Sequence, residues 1–181
     1  FIENASTNST QGNRQKGTAS VWVKRTERTP DNSATMLWAT GHANGNSSSR
    51  VYFDGHTSNA YGQDGLQMYL YQFGAGGGDK WIGYPDMKFR DFSAWYHIVI
   101  AIDTTQAVEA NRVKLYVNGA QQTINIQSMV SQNSSCSFND DGKSFRVGGM
   151  QNTTNYTYNG YMSEFVWVDN AQLAPTDFGE V

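Results

Sequence analysis

Residues 95–119 read WYHIVIAIDTTQAVEANRVKLYVNG, and the alternation in this stretch decides the fold. Ile98, Ile100 and Ile102 alternate with Val99 and Ala101, so both faces of the first strand are apolar. Such a strand is covered on both sides and belongs in the middle of a sandwich. In the second strand Val113, Leu115 and Val117 face one way, and Arg112, Lys114 and Tyr116 the other. That predicts a half-buried strand with an inside and an outside. Asn118-Gly119 supplies the positive φ angles of a two-residue hairpin turn.

The rest of the chain extends this pattern. Ten Tyr, nine Phe, five Trp and eighteen Gly against three Pro favour strands and turns over helices. Further strands are expected at Thr18–Lys24, Ala34–Thr40, Arg50–Asp54, Leu66–Phe73, Ala120–Ile126, Ser144–Gly148 and Gly160–Asp169, with a short one within Trp81–Phe89 interrupted at Pro85. Phe1 and Ile2 could add a leading strand, and only residues 107–112 and Leu173–Gly179 suit a helical turn. Short strands at this spacing predict an all-β, two-sheet antiparallel jelly-roll sandwich, one domain over residues 1–181.

Composition excludes several functions. Net charge is −3 and no Lys/Arg stripe tracks a phosphate backbone, so nucleic acid is not an expected partner. Lys24, Arg25 and Arg28 form the densest basic spot and read as a solvated strand end. The longest apolar run, Ile98–Ile102, is far short of a membrane span. Cys136 is the single cysteine, so no internal disulfide forms. The glycine run Gly74–Gly78 lacks the Lys-Ser/Thr of a phosphate loop. Phe1 is not an initiator Met, and the chain reads as an excerpt of a larger protein or a mature form.

Three segments, Asn13–Arg25, Phe89–Gly119 and Gly160–Glu180, carry a family resemblance. Their NRQKGTASVWVKR, FRDFSAWYHIV…RVKLYVNG and GYMSEFVWVDNAQLAPTDFGE strings resemble the concanavalin A-like jelly rolls of the laminin-G and pentraxin kind. They are most similar to versions in virion proteins of tailed, especially marine, phages. The resemblance implies a lectin-like sandwich in a fibre, capsid decoration or other appendage at the extracellular virion surface. It also implies host-surface glycan, other virion proteins and further copies of the chain as partners. A purely structural assembly knob and a polysaccharide-degrading sandwich are the alternatives. Fold likeness alone does not assign sugar binding.

Enzymatic function is not expected. A glycoside hydrolase needs two carboxylates at a set separation. Glu164 and Asp169 are five apart, which places them on opposite faces of a regular strand. His97 reads as a packed, hydrogen-bonded strand histidine, and nothing near Cys136 would lower its pKa. The sandwiches resembled often carry Ca²⁺ at loop rims, bound through carboxylates, amides and carbonyls. Asn139, Asp140 and Asp141 could supply these here, joined by Asp54 from another loop. The alternative is an Asx-rich turn bonding its own backbone. Sugars need aromatic faces beside planar polar groups. Two loops offer them: Trp81 and Tyr84 in DKWIGY, and Asn152, Asn155, Tyr156 and Tyr158 in NTTNYTY. The alternative is that these aromatics plug sheet edges. Tyr69, Tyr71 and Phe73 are expected in the core or a subunit interface.

Overall fold

The computed structural model describes residues 2–4, 12–41, 48–58, 62–71, 80–140, 144–150 and 156–179. Among these, two antiparallel sheets face each other. The larger runs β1(Ile2–Asn4), β11(Phe145–Val147), β3(Ala34–Thr40), β4(Arg50–Asp54), β5(Leu66–Tyr71), β6(Lys80–Pro85), β10(Ile124–Ser128). The smaller runs β12(Gly160–Asp169), β2(Lys16–Arg25), β7(Tyr96–Asp103), β8(Val113–Val117), β9(Ala120–Gln122). This is the expected all-β, two-sheet antiparallel sandwich.

Between the sheets lies one core. Val21, Ile98, Ile100 and Leu115 from the smaller sheet meet Phe53, Met68, Leu70 and Trp81 from the larger, and all are at most 3% exposed. Asn118 and Gly119 have φ of 47° and 78°, the left-handed pair that the β8–β9 hairpin requires. The segment expected as one return strand, Ala120–Ile126, divides after Gln122: β9 stays with β8, and β10 crosses to pair with β6. Residues 109–111 and Pro175–Phe178 form single 3₁₀ turns.

All eight residues of β7 are buried. The other sheet covers its inner face; the segment after β12 crosses its outer face. There the Thr18 hydroxyl donates to the Ala171 carbonyl (2.7 Å) and accepts from the Leu173 amide (2.9 Å). Gln172 Nε2 donates to the Asn111 carbonyl at 2.9 Å.

Arg25 corrects the expectation of a solvated basic end. It is 1% exposed, pairs with the fully buried Asp64 at 2.9 Å, and lies 4.7 Å over the Phe53 ring. Arg28, which also reaches Asp64 (3.1 Å), stays in solvent, and Lys24 is half-buried on the outer face of β2.

Candidate functional site

Pleating sends alternate residues of β4, β5 and β6 to the outer face of the larger sheet. Arg50 stands opposite Tyr69, Tyr69 opposite Ile82, Tyr71 opposite Lys80, and Tyr52 opposite Gln67. Cations from both flanking strands converge on one ring. The Arg50 guanidinium lies 4.5 Å from the Tyr69 centroid and 5.7 Å from that of Tyr52, and Lys80 Nζ lies 5.7 Å from Tyr69. Arg50 Nε and Gln67 Oε1 are buried without a hydrogen-bond partner. Arg146 joins the face one strand further, opposite Ala39, which itself is opposite Arg50. A buried polar atom left unpaired is costly, and ligands often supply the missing partner. The face therefore combines aromatic rings, three cations and unsatisfied polar groups.

Of the residues picked out from sequence, Tyr84 belongs to this face, opposite Asn125, whose Nδ2 donates to Asp86 at 2.7 Å. Trp81 does not: it points inward and is 1% exposed, so it presents no ring to a ligand. Its indole fills the space above Gly83, where an added Cβ would come within 2.3 Å of the ring. Tyr156 is exposed in a turn. Tyr158 lines a groove of about 420 Å³ at the open side of the sandwich with Val147, Met162 and Phe165. Its hydroxyl is buried without a partner, and burial pushes the phenol pKa up. Asn152, Asn155 and Asp141 lie outside the described residues, as do Phe73 and the glycine run 74–78.

Of the set suggested for Ca²⁺, Asp54 lies apart from Asn139 and Asp140. Asp54 ends β4, where its carboxylate accepts from His56 Nδ1 (2.8 Å) beside the Asp64 cluster. Asn139 and Asp140 lie towards the other end of that strand, beyond Ser137, which binds Ser49 and Thr40. There Asp140 pairs with Arg14 at 3.5 Å, and Asn139 Nδ2 donates to Asp169 and to the Asn13 carbonyl. Among the described residues no three His, Cys, Asp or Glu side chains cluster as metal ligands.

Cys136 is buried and its thiol is pushed up to about 12, which makes it inert. His97 is 2% exposed, with Nε2 2.8 Å from Ser20 Oγ and its ring stacked on Trp22 at 4.8 Å. Burial holds its pKa below the usual histidine range, and the Glu164 charge acts in the opposite sense.

Sequence reasoning missed Arg50, Gln67, Tyr69 and Lys80 as one group. The period-two alternation in each strand was the available signal. What it lacked was the sheet order that makes the three strands neighbours.

Comparison with curated proteins finds no match. Solved structures share the fold at low identity. The chain is 17% identical to the CBM40 module of a Ruminococcus gnavus IT-sialidase (TM-score 0.56; 91% of this chain, 80% of that one). It is 11% identical to a heptameric pentraxin from Limulus polyphemus (0.53; 91% and 67%) and 10% identical to mouse laminin α1 LG4-5 (0.55; 92% and 40%), so it spans well under two thirds of the laminin fragment. A family profile matches residues 3–175, and the chain belongs to the concanavalin A-like lectin/glucanases superfamily.

Proposed function

We propose that this chain is a non-enzymatic module that binds an acidic glycan on the outer face of its larger sheet. The observation that carries the reading is Arg50 stacked on Tyr69, with Lys80 on the same ring and an unpartnered guanidinium nitrogen. A planar guanidinium with free donors suits a carboxylate, and tyrosine rings suit the C–H face of a pyranose. The CBM40 relative in complex with α2,3-sialyllactose lends support to the chemistry, since that ligand is an acidic sugar.

The sequence resemblance supports placing the module on a virion appendage at the extracellular surface, in several copies, where it attaches to host glycan. The non-enzymatic part rests on the carboxylates. Glu164 and Asp177 line one cavity, but Asp177 is committed to its 3₁₀ turn, accepting the Ala174 amide at 2.8 Å.

Calorimetric titration with sialyllactose and with lactose tests the ligand class. Sialyllactose binds at least about tenfold more tightly than lactose, and Arg50→Ala removes that preference, a difference expected of one charge-assisted contact. Equal affinity for the two sugars, or an unchanged preference in the variant, rules the site out. Mass spectrometry of purified virions that encode the chain tests its location; absence from the particle refutes it.

A further inference from the structure

The opposite sheet carries a different arrangement. On its outer face Ser163, Trp22 and His97 form one row across β12, β2 and β7, and Tyr161 and Lys24 stand in the next row beside Trp95. Between Ser163 and Val166 the register of β12 shifts in a bulge. Glu164 occupies the extra position with φ of 53°, a left-handed conformation that costs a residue with a Cβ. Bulges re-aim side chains, and this one turns a carboxylate to where three cavities adjoin.

We propose that the notch between Trp22 and Trp95 is a second site, for a small organic ammonium cation. The notch holds about 230 Å³ and is lined by Trp22, Trp95, Ser163 and Glu164. Indole is the strongest of the aromatic faces for a cation, and a carboxylate at the same opening adds its charge. Stacking on His97 fixes the Trp22 ring. Trp95 is 42% exposed, with its ring 6.5 Å from Tyr161, itself 60% exposed. Glu164 has no basic partner among the described residues. In the adjoining cavity His97 Nδ1 is buried without a hydrogen-bond partner, so the imidazole does not bond to the carboxylate. An opposing charge on the same face is Lys24, whose ammonium acts on Asp91 at the neighbouring loop. The volume matches one head group or one monosaccharide. An ammonium fitting it belongs either to a quaternary amine or to an amino sugar.

Tryptophan fluorescence titrations with tetramethylammonium, choline and glucosamine test this, with 3,3-dimethylbutanol and glucose as neutral matches. At least one cation saturates the signal and binds about tenfold more tightly than its neutral match, and Glu164→Gln and Trp95→Ala each lose most of that margin. Choline alone binding identifies the quaternary head group; glucosamine alone identifies the amino sugar. Both substituted side chains are exposed, and a thermal melt verifies folding. Arg50→Ala, on the other sheet, leaves these titrations unchanged, which separates this site from the glycan face. The proposal is overturned if no cation binds, if the neutral matches bind equally, or if both variants retain wild-type affinity.

Discussion

Burying a guanidinium is expensive unless its charge and donors are met. Arg25 meets most of the requirement: its terminal nitrogens reach Asp64, Thr29 and the Phe89 carbonyl and its plane lies over the Phe53 ring, while Nε is buried without a hydrogen-bond partner. Asp64→Asn leaves the Arg25 guanidinium buried without its counter-charge, and costs about 3–5 kcal/mol in urea denaturation; Arg25→Ala costs less, because Arg28 and Arg90 still reach the Asp64 carboxylate. A loss under 1 kcal/mol would mean that water reaches the pair. Nothing in the neighbourhood of Arg25 in sequence announces this, because Asp64 arrives from a loop 39 residues away. His97 was easier: an aromatic-flanked histidine on an apolar strand reads as packed, and it is. Its lowered folded pKa means that folding favours the neutral ring. The stability this contributes is complete above the unfolded value, about 6.5, and is lost as pH falls below it toward the lower folded value. Melting temperature therefore declines below about pH 6.5, and His97→Gln flattens that limb. Because the Glu164 charge raises the His97 pKa, Glu164→Gln extends the decline to lower pH.

At the scale of the element, β7 explains both what was legible and what was not. Its doubly apolar pattern requires two covers, and the sequence reading supplied only the facing sheet. The second cover is the segment Asn170–Phe178, polar enough to pass for a tail. Thr18→Val removes the hydroxyl that both donates to Ala171 and accepts from Leu173, leaving two backbone groups unpaired. Hydrogen exchange then speeds at Leu173 and along the outer face of β7, while the β8–β9 hairpin retains its protection. The same contrast separates Trp81 from Tyr84 in β6. Loop-like flanks and an aromatic-rich string made both look available, but strand alternation sends one to the core and the other outward. Trp81→Ala should cost about 3–5 kcal/mol, as for other buried large aromatics, with glycan binding lost only through unfolding.

Considered whole, the molecule is two sheets about 10 Å apart with different chemistry on their outer faces. Cations gather on the larger sheet and a carboxylate with indoles on the smaller, so ligands at the two should not compete. The separation of Asp54 from Asn139 and Asp140 along β4 bears on Ca²⁺ in the same way. A cation cannot bridge groups at the two ends of a strand, and Arg14 already pairs with Asp140. Millimolar Ca²⁺, or its removal by chelator, should leave the melting temperature unchanged, since only ligand binding to the native state raises it. A rise of several degrees would show that the polar loop assembles a site with residues beyond those described. Salt gives the sharpest test of the cationic face of the larger sheet. Exposed charges are screened over about 10 Å at 0.1 M and about 3 Å at 1 M. Sialyllactose affinity should fall several-fold over that range if Arg50, Arg146 and Lys80 read its carboxylate, whereas stacking of a neutral sugar on Tyr69 would be insensitive to it. A salt-independent affinity that still requires Tyr69 would therefore keep the face as a sugar site while removing its selectivity for acids.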